Sequence, residues 1–367
     1  MLDLDQLLKY AVDRRASDVH IKVGSPPFIR IDGRLERTDY DAVSPVETER
    51  IAFAIMPKQR AEEFIAASEA DFAYSVAGLG RFRVNVFRQR GSVGLVLRKV
   101  QSEIADFEEL GLPPAVRKLT EHPRGLVLVT GPTGSGKTTT LAAMVDHINA
   151  TSQRHIVTIE DPIEVLHADK ASIVNQREVG TDTADFHAAL KRVLRQDPDV
   201  ILVGEMRDSD TVRTALAAAE TGHLVFSTLH TISATDSINR IIDFFPPHEQ
   251  RQVRMSVAAS LRGIVSQRLV EKRVGGRVPA VEVLVATGRV FDKIVNPDET
   301  HEIEIIIAEG EFYGMQTFDQ SLLDLYGRGV IELREAMAAS TSPHDLRLMI
   351  EQWTMTQAAS QQAAAGS

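Results

Sequence analysis

Gly131-Pro132-Thr133-Gly134-Ser135-Gly136-Lys137-Thr138 decides the fold. The run has the glycine spacing and closing Lys-Thr of a phosphate-binding loop, and its neighbours supply the context such a loop needs. Leu126–Thr130 before it is apolar and reads as a buried strand, and the periodic segment from Thr138 to about Asn149 after it reads as a helix. Strand, loop and helix must come in that order because backbone N–H groups at a helix N-terminus cradle the phosphate oxygens. The glycines let the chain curl tightly. Lys137 brings a point charge to the β- and γ-phosphates, and Thr138 offers a hydroxyl to Mg²⁺. Gly131 through Thr138, with Thr139 beside them, are therefore the candidate set for a nucleoside triphosphate.

Outward from the loop, three more apolar runs end in residues suited to phosphoryl chemistry. Ile156-Val157-Thr158-Ile159 leads to Glu160, Asp161 and Glu164; Val200-Ile201-Leu202-Val203 leads through Gly204 to Glu205; Leu224 to Leu229 leads to His230. Strands alternate with helical segments from Arg124 onward, which predicts a parallel sheet with crossover helices. Open parallel sheets hold their ligands beyond the carboxyl ends of the strands. Phosphoryl transfer needs charge neutralisation, a metal and a group that orients water. Glu205 fits a metal position acting through water, and Glu164 or Glu160 fits the group that polarises the attacking water. His230 is placed to sense the terminal phosphate. His223 lies seven strand steps earlier, about 23 Å away, and cannot reach the same phosphate.

Composition bounds the rest. A chain of 367 residues with 43% hydrophobic and 25% charged residues is of ordinary globular class and long enough for about two domains. No apolar run reaches the ~20 residues that span a bilayer, and the acidic start Met1-Leu2-Asp3-Leu4-Asp5 is unlike a secretory signal, so a cytoplasmic location is expected. Cysteine is absent, which excludes disulfides and thiolate metal sites. With 51 acidic against 41 basic residues and 5% aromatics, a nucleic-acid channel with stacking platforms is not expected. From Thr356 the chain is low in complexity and reads as a disordered tail over 356–367.

The first hundred residues read as mixed helix and antiparallel strand. Leu4, Leu7, Leu8 and Val12 form a helical stripe, Phe28-Ile29-Arg30-Ile31 runs into the hairpin pair Asp32-Gly33, and two longer strands flank a Gly91-Ser92 turn. Leu110-Gly111-Leu112-Pro113-Pro114 reads as a hinge, which divides the chain into a domain over 1–105, a linker over 106–120 and a domain over 121–355. Arg81 and Arg83 emerge on one strand face and Arg98 closes the partner strand. They are either a polar sheet face or arginine fingers reaching a neighbouring subunit's nucleotide.

These motifs resemble the PilT family of type IV pilus retraction ATPases, within the bacterial secretion ATPases. Gly131–Thr138 is similar to its Walker A, Thr158-Ile159-Glu160-Asp161-Pro162-Ile163-Glu164 to its Asp box, Leu202 to Asp208 to its Walker B, and Thr221-Gly222-His223 to His230 to its His box. The likeness extends from Ala16-Ser17-Asp18-Val19-His20 to Gly314-Met315-Gln316-Thr317-Phe318-Asp319-Gln320. It implies a smaller α+β, PAS-like N-terminal domain joined to a RecA-like P-loop ATPase domain, with six copies closing into a homo-hexameric ring. It further implies ATP and Mg²⁺ as ligands, Glu164 as catalytic glutamate, Glu205 at the metal, and Arg81, Arg83 and Arg98 completing the site. The implied partners are an inner-membrane platform protein (PilC-like) and related pilus ATPases. Work would be done at the cytoplasmic face of the inner membrane, with only peripheral membrane contact.

Two departures bear on direction. Extension-type relatives carry an extra N-terminal domain and a four-cysteine zinc element, and this cysteine-free chain resembles the retraction type. The family's Ala-Ile-Arg-Asn-Leu-Ile-Arg-Glu element is poorly kept as Val290-Phe291-Asp292-Lys293-Ile294-Val295-Asn296-Pro297, and Ser342-Pro343-His344-Asp345-Leu346 resembles the PilU branch. The alternative reading is the ATPase of a related secretion, pilus-assembly or DNA-uptake machine working in another direction.

Overall fold

The computed structural model describes residues 2–365, with side chains to residue 357. It divides into two compact units, one of Met1–Glu103 with Ile163–Leu166, the other of Ile104–Pro162 with His167–Ser367.

The first unit is the expected α+β body. It runs α1 (Leu4–Asp13), β1 (Asp18–Ile21), β2 (Phe28–Ile31), β3 (Arg34–Arg37), α2 (Pro45–Ile55), α3 (Lys58–Ala67), β4 (Glu69–Val76), β5 (Gly80–Gln89) and β6 (Ser92–Lys99). Its strands make one antiparallel sheet in the order β3-β2-β1-β6-β5-β4. Asp3 caps α1 by accepting from the Gln6 N–H, and the buried stripe is Leu4, Leu7, Leu8 and Ala11; Val12 sits only partly covered, one position off the stripe. Asp32 and Gly33 both take positive φ, 47° and 80°, the geometry of a type I′ turn. The second hairpin turn lies one residue earlier than the glycine-serine reading. Arg90 and Gly91 carry the positive φ values, and Gln89 pairs with Ser92.

The second unit runs α4 (Pro114–Lys118), β7 (Gly125–Thr130), α5 (Lys137–Thr151), β8 (His155–Glu160), β9 (Ile173–Glu178), α6 (Phe186–Val193), β10 (Val200–Val203), α7 (Ser209–Thr221) and β11 (Leu224–Leu229). It continues with α8 (Ala234–Asp243), α9 (Pro247–Ser260), β12 (Leu261–Glu271), β13 (Arg277–Val285), α10 (Gly288–Val295), α11 (Ile303–Glu309), α12 (Phe318–Gly327), α13 (Leu333–Ala339) and α14 (Pro343–Ala365). The sheet order is β13-β12-β7-β11-β10-β8-β9, parallel throughout except for β13. Helices cover both faces. Along β7, Leu126 and Leu128 enter one core while Val127 and Val129 enter the other, so the strand is apolar at every position up to Thr130.

The stretch over 106–120 is not a free linker. Phe107, Leu112, Ala115, Val116 and Leu119 are buried in the core that β7 and α5 share. Pro114 stands at the first position of α4, where its missing N–H costs nothing, so the prolines start a helix rather than mark a hinge. The expected disordered tail is corrected likewise: α14 continues to Ala365, in keeping with the high helix propensity of alanine and glutamine. Gly366 and Ser367 lie outside the described residues. Among the described residues no helix is long and apolar enough to cross a membrane.

Candidate active site

Strand register gathers the chemistry. Thr130 of β7 pairs with Leu229 of β11, Ser227 of β11 with Val203 of β10, and Val203 with Ile159 of β8. The next residues along each strand, Gly131, His230, Gly204-Glu205 and Glu160, therefore leave one edge of the parallel sheet. His223 stands at the other edge, where its carbonyl accepts from the Gly125 N–H and its Nδ1 lies 2.9 Å from the Ala218 carbonyl. That is a structural role.

The loop itself is held from beneath by β12. Gly131 has φ +143°, and a Cβ there would stand 2.4 Å from the Gln267 carbonyl oxygen and 2.6 Å from Ser135 Oγ. Only glycine passes. Gln267 Nε2 donates to the Ser135 carbonyl at 2.7 Å and so fixes the loop's crown. Lys137 Nζ donates to the carbonyls of Gly131 at 2.7 Å and Pro132 at 3.0 Å, which arches the ammonium across the loop. Helix α5 starts at Gly136, φ +91°, with no side-chain cap, whereas α6, α7 and α8 are capped by Asp185, Asp208 and Ser233. Its first-turn N–H groups thus face the loop's interior without a side-chain acceptor. Ser135 Oγ is buried with no hydrogen-bond partner among the described residues. Pro132, Thr133, Gly134, Thr138 and Thr139 are exposed along the open rim. A ring of unspent donors around a glycine cradle fits a polyphosphate.

Glu205 is the centre of a short charged chain beside that rim. Its Oε2 accepts from Arg207 Nε at 2.7 Å, and its Oε1 lies 3.3 Å from His230 Nε2. Arg207 also stands 3.9 Å from Asp161. The backbone beneath is pinned: Thr228 Oγ1 donates to the Gly204 carbonyl at 2.6 Å and the Gly204 N–H donates to that of Ile159 at 2.8 Å. Thr138 and Glu205, the two residues expected at Mg²⁺, are both oxygen donors of the hard-cation type. Of the two candidates for polarising water, Glu160 is buried and turned inward, its Oε1 accepting from Thr158 Oγ1 at 2.6 Å and Gln176 Nε2 at 3.0 Å. That leaves it spoken for.

Glu164 belongs to the first unit, by way of Ile163–Leu166. This four-residue excursion is tied to the chain just after β6 by an isolated bridge between Gln101 and Val165, with the Leu166 N–H donating to the Gln101 carbonyl at 2.8 Å. Glu164 is half exposed and approaches Arg83 Nη1 at 4.0 Å. Arg83 and Arg98 are direct cross-strand partners, a like-charge pairing that costs stability unless carboxylates flank it. Asp18, the next cross-strand partner of Arg98, supplies one: Arg98 Nε donates to Asp18 Oδ1 at 2.7 Å. Arg81 and Arg83 face away from the Phe82, Val84 and Val86 core side, as the alternation predicts. The structure therefore groups Arg83, Arg98 and Glu164 within the first unit and draws Arg98 into that unit's own ion pair.

A model of the type II/IV secretion system proteins matches residues 1–303. The chain belongs to that family. It is 44% identical, over 94% of its own length and 100% of the relative's, to the type IV pilus retraction ATPase PilT of Pseudomonas aeruginosa. It is 43% identical to the type IV pilus ATPase PilU of the same organism, over 95% of this chain and 92% of the other. Among solved structures, the pilus retraction motor PilT with bound ADP superposes with a TM-score of 0.86 at 47% identity, covering 95% of this chain and 99% of that one. The resemblance read from the motifs thus holds for nearly the whole chain. So does the fold class of a RecA-like P-loop domain with a smaller α+β unit.

Sequence reasoning missed the supports of this secretion-ATPase site. Arg207 was two residues from Glu205 and legible as a charge beside a charge. Gln176 and Gln267 reach their partners from other strands, 16 and 132 positions away, and no local pattern marks them.

Proposed function

We propose that this chain is an ATP-hydrolysing motor that powers type IV pilus retraction, working as a homo-hexamer on an inner-membrane platform protein at the cytoplasmic face. The observation that carries the reading is Glu205, poised 3.3 Å from His230 on the strand edge that also bears the phosphate loop. Kinship over the full length with a retraction ATPase supports the same conclusion.

In this reading the first-turn N–H groups of α5 and Lys137 bind the β- and γ-phosphates, and Ser135 Oγ gains the acceptor it lacks. Thr138 and Glu205 would hold Mg²⁺, which would supply positive charge that neutralises the phosphate oxygens. His230 turns from Glu205, 3.3 Å away, to the terminal phosphate, so the protein registers whether that phosphate is present. Glu164 accepts the proton of the attacking water, since Glu160 is committed to Thr158 and Gln176. Arg81 and Arg83 stabilise the charge that develops in the transition state, in trans across a ring interface.

Glu164→Gln is expected to retain ATP binding and lose at least about 100-fold in turnover. Unchanged turnover would remove Glu164 from the mechanism. Cells lacking the protein are expected to keep long, unretracted pili; loss of the pili themselves would assign assembly and refute retraction.

A further inference from the structure

Behind the phosphate loop runs a buried line of hydroxyls that the reaction scheme does not use. Thr231, the residue after His230, has its Oγ1 2.6 Å from Ser237 Oγ. Ser237 Oγ lies 3.4 Å from the Oγ1 of Thr130, the residue before Gly131, and 2.6 Å from the Ser233 carbonyl. Thr130 Oγ1 donates to Ser266 Oγ at 3.0 Å, and Ser266 of β12 is the direct cross-strand partner of Glu282 of β13. Glu282 Oε1 in turn accepts from the Ala234 N–H at 2.7 Å, at the start of α8. Thr130, Ser237 and Ser266 are fully buried, and Glu282 is nearly so.

Buried hydroxyls in an apolar strand core cost stability unless each is paired; here the Ser237 proton goes to the Ser233 carbonyl at 2.6 Å and the Thr130 proton to Ser266, and Ser237 and Thr130 meet at 3.4 Å between these two bonds. Two parts of the set are telling. One is the last strand residue before the phosphate loop. The other is the loop Thr231–Ser233 after His230, held twice, by Ser237 at its two ends and by Glu282 at the first residue of α8. Ser237 touches both the phosphate-loop strand and the His230 loop.

We propose that Ser237 is a positioning residue for His230, its hydroxyl joining the His230 loop to the phosphate-loop strand so that imidazole and phosphate stay in register. This rests on the reading of His230 as the group that contacts the terminal phosphate. Thr130, Ser266 and Glu282 serve as the fixed end of the same line. Freed from Ser237, the loop moves by a fraction of an ångström to an ångström, enough to cost transition-state contact while leaving the β-phosphate cradle intact.

The test compares Ser237→Ala, Thr130→Val and Thr130→Ser in the full-length protein with His230→Ala and the double variant Ser237→Ala/His230→Ala. ATP affinity, kcat and KM are read for each. Ser237→Ala and Thr130→Val are expected to bind ATP within about threefold of the parent and to lose about tenfold in kcat, with Thr130→Ser restoring it. In the His230→Ala background, Ser237→Ala is expected to have no further effect on kcat, because it acts through that histidine. An unchanged kcat for Ser237→Ala, or effects that multiply in the double variant, overturns the positioning role. Full activity of His230→Ala overturns instead the underlying reading of His230, so the two failures are distinct.

Discussion

Glu282 offers the sharpest energetic test of the second unit's core. It sits in β13 among Val281, Val283 and Leu284, nearly inaccessible to water. Burial pushes its carboxyl up to about 7 from an ordinary 4.5; the nearby Glu304 of α11 adds to the rise, while the Ala234 N–H, Arg268 of β12 and Ser266 oppose it. The folded state thus holds a proton that the unfolded chain releases near pH 4.5. Stability from this group is complete below that value and is lost as pH rises through about 7. A gap of roughly 2.5 pH units at ~1.36 kcal/mol each makes the loss about 3 kcal/mol.

Glu282→Gln keeps the acceptor for Ala234 and cannot ionise. Its stability relative to the parent is expected to be near equal at pH 5 and to grow by up to about 3 kcal/mol by pH 8. Trp353 is the chain's single tryptophan and lies on α14, its ring 6.3 Å from Tyr326 of α12, so urea titrations followed by its fluorescence report this unit alone. Differencing variant against parent at each pH cancels the histidines common to both. A constant difference across pH 5 to 8 would refute the reasoning, because Glu282 would then titrate as an exposed acid does.

Two further substitutions probe the loop and the N-terminal sheet. Gly131→Ala places a methyl 2.4 Å from the Gln267 carbonyl at φ +143°, and is expected to weaken ATP binding more than tenfold with about 2 kcal/mol of destabilisation; parent-like binding by fluorescent-nucleotide titration would contradict the cradle geometry. Asp18 is buried, and although burial alone pushes its carboxyl up, the Ser17 hydroxyl and Arg98 hold it below the ordinary 3.8. Asp18→Asn is therefore expected to destabilise the first unit by about 1–2 kcal/mol at pH 7, with the deficit closing as pH falls below 3.8, read by hydrogen exchange in β1 and β6. An equal deficit at pH 3 would show that packing, not charge, was lost.

Much of this site was legible because parallel strands buried on both faces leave a plain trace. Apolar runs such as Val200–Val203 stop abruptly, and the residues just past their ends must lie on one edge. The two-residue hairpin at Asp32-Gly33 was legible for a similar reason, since few residue pairs accept two positive φ values. The excursion Ile163–Leu166 was not, because its single isolated bridge joins it to Gln101, some sixty residues earlier. Nor was the burial of Leu112 and Leu119: prolines at a helix start and prolines at a hinge look alike until the neighbouring core is known.

The hydroxyl line was half legible, and the half that was missed is instructive. Thr130 ends β7 and Ser266 interrupts β12, Ser237 interrupts the apolar face of α8, and Glu282 interrupts β13. A polar group inside a two-faced apolar element has to find a partner inside the protein, because water cannot reach it. The interruptions alone therefore announce a network; topology names its members, because β12 lies between β7 and β13 although 136 positions separate Thr130 from Ser266. Lys137, Glu205 and His230 could be read from motifs because chemistry constrains their types and spacing. The residues that hold them have no such constraint on spacing, and polar residues at fully buried strand positions beside the phosphate loop are where their search begins.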